Sequence, residues 1–373
     1  MKAISLALLA LLLSAVFTAC MGPRGWPGAT VEGDTLFVGT IDGRILALNP
    51  EDASLKWGWQ PSKASSSNTV GCSGGLATKG GTLYGPPVIA QGIIYTGSFS
   101  GQVYAIDVAN GLEIWRYNVN SPIVGGMALN NSTLFLGTSA GELHALDISG
   151  DYPSEVFTFT VEGAIWSTPV VQDSTVYFGS LDHNLYALDA TTGQKKWVFE
   201  ASGQIVATPL VLGGIVYIGS LDNKLYAVDA GTGEPKWVFE EAGNWFWSNA
   251  LYSNGIIYAG SLDYYVYAVD AGNGTPVWPE PFKTSGPVYS SPLANGQTLV
   301  VASGDGKVYG IDLIDGSEKW QIDTKSKILS SLFAEGNTIY INTQLNGLWA
   351  IDGSTGIVIW RVSLGKGEIR KVE

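Results

Sequence analysis

The sequence predicts an all-β fold, a single eight-bladed β-propeller whose blades are four-stranded antiparallel sheets. Three observations predict it. One phrase returns about every 40 residues, the spacing of a propeller blade: an apolar strand, a Gly-Ser turn, Leu-Tyr-Ala-Val-Asp, a Thr-Gly turn and a Trp. After residue 20 no window sustains a helical period. Short runs of Val, Ile, Tyr and Phe alternate with breaks of Gly, Asp, Asn and Ser, and the chain holds 48 glycines.

The first element is not part of the ring. Lys2 precedes an apolar run, Ala3–Phe17, and then Thr18-Ala19-Cys20. The run is too short for a spanning helix and reads as a secretory signal over residues 1–20. Small residues before a cysteine resemble the bacterial lipoprotein signal, which predicts acylation of Cys20 and a membrane anchor through it. Residues 21–373 are expected to form the propeller.

The closing aromatic of each copy locates the blades. It falls at Trp57, Trp115, Phe157, Trp197, Trp237, Trp278, Trp320 and Trp360, with successive spacings of 58, 42, 40, 40, 41, 42 and 40. The long first interval places an insertion loop at about 60–83, rich in Ser, Gly, Lys and Thr and without an apolar period. Cys72 lies in that loop; no function is expected of it. The clearest copies are Val176-Tyr-Phe-Gly-Ser-Leu-Asp-His-Asn-Leu-Tyr-Ala-Leu-Asp189 and its counterpart from Val216 to Asp229. In blade four the strands are expected at Ile165–Val171, Thr175–Ser180, Asn184–Ala190 and Lys195–Glu200. Asp189 and Gly193 suit a tight turn, the carboxylate bonding amides and the glycine taking positive φ. Each blade is expected from consecutive sequence, with no N-terminal strand completing blade eight. Disorder is expected only in the insertion and the last few residues.

The 33 acidic and 20 basic residues leave a net charge of −13. That excludes a nucleic-acid partner and direct adsorption to an anionic membrane. Catalytic candidates are few. His144 and His183 fall in different blades at different strand positions, so neither a shared catalytic site nor a metal site is expected. Asp182, Asp222, Asp263 and Asp305 recur at one hairpin position and read as turn chemistry rather than calcium ligands.

The informative departures are aromatic. The column at the start of the inner strand reads Trp26, Tyr84, Val124, Trp166, Val206, Trp247, Tyr289, Leu329. In a propeller it circles one mouth of the central channel, on the face that carries the second hairpins. Blade six adds Trp245 and the hairpin pair Tyr264-Tyr265. Trp26, Tyr84, Trp166, Trp245, Trp247, Tyr264, Tyr265 and Tyr289 therefore make the candidate binding face. Packing between blades is the alternative role for the same rings.

Tyr226-Ala-Val-Asp-Ala-Gly-Thr-Gly-Glu-Pro-Lys-Trp237 resembles the repeat of the pyrroloquinoline-quinone (PQQ)-like propellers, the tryptophan-docking motif, over residues 25–362. The resemblance implies that Trp57, Trp115, Phe157, Trp197, Trp237, Trp278, Trp320 and Trp360 are structural, docking between blades. Two branches of the family differ in function. The quinoprotein dehydrogenases use an adjacent cysteine pair, an Asp base and calcium. Here Cys20 and Cys72 stand apart, so no PQQ cofactor and no enzyme activity are expected. The lipid-anchored propellers of the outer-membrane β-barrel assembly machinery are scaffolds. Likeness to them implies an exported, membrane-anchored chain with a protein partner in the cell envelope. The other reading is a surface lipoprotein that binds a glycan or peptide through the aromatic mouth. No oligomeric state follows from the sequence.

Overall fold

In a computed structural model, residues 28–40, 42–61, 81–345, 347–365 and 369–371 are described. The signal segment with Cys20, Trp26, Cys72 and residues 62–80 of the insertion lie outside them. Eight antiparallel sheets follow one another, each of four consecutive strands, the last with a fifth. No described residue is helical. Successive first strands approach one another at the centre, and that of blade one (Ala29–Glu32) meets that of blade eight (Phe333–Glu335). The sheets therefore close into a ring, an eight-bladed propeller built from consecutive sequence.

The middle strands carry the core. In blade four, Thr175–Gly179 is buried throughout, and Leu185, Ala187 and Leu188 follow on Asn184–Asp189. Each core cluster spans two neighbouring blades, such as Tyr177, Leu185 and Trp197 with Val216, Ile218 and Val228. The hydrophobic driving force thus lies between blades rather than within one sheet.

The repeated phrase has a geometric reason at each position. The docking indole pairs across the ladder with the small residue of Tyr-Ala-Val-Asp: Ala187 with Trp197, Ala227 with Trp237. A register shift follows at once, between Ala187 and Leu188 and between Ala227 and Val228. The Trp197 ring covers Gly233 of the next blade, where a Cβ would stand 2.9 Å from it, and its Nε1 donates to Ala230 O at 2.9 Å. Trp57, Trp237, Trp278 and Trp320 donate likewise to Val108, Ala271, Leu313 and Ser354. Phe157 covers Gly193 but brings no N–H. Trp115 is buried against Tyr95. Gly233 has φ +79 and Asp229 Oδ1 accepts the amides of Gly231 and Thr232, which is the Asp-to-Gly turn.

The inner strands are shorter than expected. In blade four the first strand is Val170–Gln172, not Ile165–Val171. The amides before it are used elsewhere. Ile165 N donates to Thr138 O of blade three, and Ala164 O accepts from Leu181 N of blade four's own second hairpin. Residues 164–168 are a strap bridging two hairpins. The residue of each described strap that crosses the junction is buried: Leu83, Ile123, Ile165, Ile205, Phe246, Val288, Ile328. Gly97, Gly137, Gly179, Gly219 and Gly260 end the second strands beneath five of these, where any Cβ would collide with the plug.

Blade eight differs. Its outer strand, Val358–Leu364, pairs with an added strand, Ile369–Lys371, where disorder was expected. Trp360 closes the ring by donating to Pro50 O of blade one at 2.9 Å.

Candidate functional site

Antiparallel pairing puts the straps and the second hairpins on one face of the ring and the Asp-to-Gly turns on the other. On that first face the straps and hairpins interleave. Phe246 N donates to Ser220 O of blade five, while Leu262 N of blade six donates to Trp245 O. Val288 N and Gly304 N repeat the pattern one blade on. Because neighbouring residues of an extended segment point opposite ways, burying Phe246 leaves Trp245 and Trp247 on the outer side. Both are half-buried.

The structure brings several of the sequence-predicted rings together with hairpins. Trp166 Nε1 donates to Ser139 Oγ of the blade-three hairpin at 3.3 Å. Tyr84 packs on Phe99 of its own hairpin, ring centres 5.5 Å apart, and burial pushes its phenol up to about 12. The Tyr289 ring lies against Gly304, where a Cβ would stand 3.1 Å away. Its phenol is raised by burial and, second, by the Tyr264 phenol of the adjacent blade. Tyr265 is placed elsewhere: it starts the strand Tyr265–Asp270 and packs on the core between blades five and six, with Lys283 Nζ over its ring.

Tyr264 stands out on backbone grounds. It sits at φ +79 with 44% of its surface exposed. The same hairpin position is Gly43, Gly101, Gly141 and Gly306 in blades one, two, three and seven and His183 and Asn223 in blades four and five, all at positive φ, so Tyr264 is the bulkiest residue placed there. A left-handed conformation costs a bulky residue about 1 kcal/mol or more. An exposed tyrosine there gains little burial in return, so packing does not explain it.

The hairpin aspartates have a structural role the sequence left unspecified. Asp182, Asp222 and Asp263 each accept the phenol of the tyrosine four residues on, at 2.8, 2.6 and 2.7 Å. Asp305 does so from Tyr309 at 3.0 Å. Asp222 and Asp263 also accept the strap amides of Ser202 and Gly243. Among the described residues no group of three or more His, Cys, Asp or Glu could hold a metal. His144 is buried on a strand of blade three, with Nδ1 3.2 Å from Glu155. His183 occupies the blade-four hairpin.

Two rim residues escaped the sequence reading. Phe99 is 38% exposed beside Tyr84, and Leu345 is 71% exposed on the blade-eight hairpin. Leu345 was detectable, because it replaces Asp in the hairpin column. Phe99 was not, since blades four to six have Leu there and an apolar residue does not stand out.

Fold, repeat and interblade indoles together define the chain as an eight-bladed propeller of the PQQ-like class. The family model described as outer membrane protein assembly factor BamB matches residues 19–152, 154–254 and 262–372, and the chain belongs to that family. It is 30% identical to a BamB from Nitrosomonas eutropha over 115 residues, 31% of this chain and 27% of that protein. A BamB from Shewanella oneidensis is 24% identical over 190 residues, 47% and 44% of the two. The chain thus spans less than half the length of these relatives. Two solved structures share the fold. The crystal structure of BamB from Moraxella catarrhalis aligns with TM-score 0.69 and 20% identity over 88% of this chain and 92% of that one. The computationally designed Ika8 protein aligns with 0.71 and 14% identity over 94% and 97%.

Proposed function

We propose that this chain is a non-catalytic, exported scaffold of outer-membrane protein assembly, anchored through a lipid on Cys20, that engages a protein partner with its strap face. Family membership supports the assembly role. The observation that carries the choice of face is Tyr264, an exposed ring held in a conformation that favours glycine, next to Tyr289 and on the same blade as Trp245 and Trp247. Aromatic rings on a rigid rim supply contact area at low entropic cost. The chain uses no PQQ: its two cysteines are not adjacent, and its blades lack insertions that would build a chamber.

The test is a crosslinking pull-down from native membranes with the tagged full chain and its Tyr264→Gly variant. Glycine relieves the backbone, so the variant should melt at or slightly above the parent temperature. It should nonetheless capture several-fold less of an outer-membrane barrel assembly component. Equal capture by both proteins removes the strap face from the reading. Capture of no envelope protein by the parent removes the scaffold role. Mass spectrometry of the mature N-terminus should find diacylglyceryl-modified Cys20.

A further inference from the structure

The outer strand of every blade is a sheet edge, with a row of backbone groups that the sheet leaves unpaired. Such edges attract other strands unless charge, proline or a covering segment blocks them. Most blades here are guarded. Blade four has Lys195, Lys196 and Glu200 on its edge strand. Blade five has Pro235 and a Lys236–Asp229 pair at 3.0 Å, and blade seven a Lys319–Asp312 pair at 2.8 Å. In blade six Pro279 and Pro281 break the outer strand, leaving Phe282–Lys283 and a single bridge at Pro276. In blade two Glu113 and Arg116 pair at 2.6 Å, and the Tyr152 hydroxyl donates to Arg116 O. In blade eight the chain's own Ile369–Lys371 covers Val362–Leu364.

Blade three differs from these six. Its outer strand, Ser154–Thr160, is seven residues long and among the described residues pairs only with Glu142–Asp147. It reads Ser-Glu-Val-Phe-Thr-Phe-Thr, strongly β-prone, with no proline inside it. Its one charge, Glu155, is drawn to His144 on the sheet. Val156 is 46% exposed. The blade is also one-signed: residues 119–163 hold Glu142, Asp147, Asp151, Glu155 and Glu162 and no Lys or Arg. Blade eight shows that an outer strand of this ring can take a fifth. Its added strand, Ile369-Arg370-Lys371, is extended and basic, and continues the ladder antiparallel.

We propose that the outer strand of blade three is a strand-addition site, which takes an extended, basic, β-prone segment of a partner protein as a fifth strand. Main-chain hydrogen bonds give the affinity, and the five carboxylates select the charge. This site lies on the rim of the ring and is independent of the strap face.

The test uses the full chain and labelled peptides of about nine residues, long enough to cover the edge. One alternates Lys with Val and Thr, a second has Glu for each Lys, and a third has Pro at its centre. The basic peptide should bind about tenfold or more tighter than the other two, at low salt, and should protect amides within 154–160 from hydrogen exchange. The double variant Val156→Lys/Thr160→Lys places guards on exposed positions. It should keep the parent melting temperature and lose the peptide by about tenfold or more. Val238→Lys on the guarded edge of blade five should change nothing. Equal binding of all three peptides, no binding, or full binding by the guarded variant overturns the proposal. A dimer of the parent chain that the guarded variant abolishes and the peptide does not displace also overturns it, making a second copy the occupant.

Discussion

The junction between blades five and six and the seam between blades eight and one perform the same task with different residues. At the first, Trp237 Nε1 and the Tyr217 hydroxyl both donate to Ala271 O, the indole covers Gly274, and Phe246 plugs the space over Gly219. At the seam, Trp360 donates to Pro50 O, and Ala53 stands at φ +59 where the other turn has glycine. Asn342 replaces the strand-ending glycine and its Nδ2 donates to Gly39 O at 3.0 Å. Arg44, paired with Asp42, adds bonds to Leu364 O and Gly365 O. The ring closes by docking a side chain rather than by sharing a strand, so the seam rests on a core of Leu36, Val38 and Leu48 against Tyr340, Leu348 and Trp360, with these polar contacts added to it.

The largest effect should come from the indoles. Trp237 and Trp360 are equally buried, each 9% exposed, and each donates one hydrogen bond of about 3 Å. Trp→Ala at either should cost about 3–5 kcal/mol in urea unfolding, the usual range for truncating a buried aromatic. Equal losses make the seam a junction like any other. A much smaller loss at Trp360 means that the ring is already held there by Arg44 and Asn342. Phe157→Ala should fall at the low end, because no N–H bond is lost with the ring.

A smaller effect distinguishes the two strand ends. A Cβ on Gly219 would lie 2.5 Å from Phe246 Cβ, so Gly219→Ala should cost about 1–3 kcal/mol by overpacking. Asn342→Gly should cost about as much for another reason, since the buried Gly39 carbonyl loses its side-chain donor. Restoring a plug at the seam is the sharper experiment: a hydrophobic residue at 342 should not rescue the loss, as it cannot donate to Gly39 O. Thermal melts of the three variants decide it.

The architecture was legible because the repeat imposes one geometry eight times. Trp, Gly, Asp and the Ala of Tyr-Ala-Val-Asp each answer a local demand that recurs in every blade. The straps were not legible. Ile165-Trp166 is apolar and reads as a strand, and only the neighbouring hairpin shows that its amides are engaged outside the sheet. The aromatic rim was legible as departures from the repeat. Tyr264 and Tyr265 look alike in sequence, yet one is a left-handed hairpin tip and the other a core strand residue, a distinction set by φ rather than by chemistry. The edge of blade three was hidden for the opposite reason: its meaning lies in guards that are missing, and these show only against the other blades.

The smallest effect is a pH dependence, and it too separates the two regions. Blades four to six bury Tyr186, Tyr226 and Tyr267, whose phenols are pushed well above the ordinary value of 10, first by burial and then by the aspartate each one donates to. The blades at the seam have Leu46 and Trp349 there, which do not titrate in this range, and their core adds Tyr340, pushed up to about 12 by burial with no aspartate partner among its causes. A phenol raised in the folded state keeps its proton where the unfolded chain releases one. Its stabilising contribution is therefore complete below about pH 10 and is lost as pH climbs towards the folded value. Melting temperature should hold to about pH 9 and fall above pH 10. Tyr226→Phe removes one titrating group but leaves Asp222 with the amides of Lys224 and Ser202. It should cost about 1 kcal/mol at neutral pH and flatten the alkaline fall. An alkaline limb parallel to the parent's would show that the phenol–aspartate pairs do not govern it, and that the regular arc is no more sensitive to base than the seam.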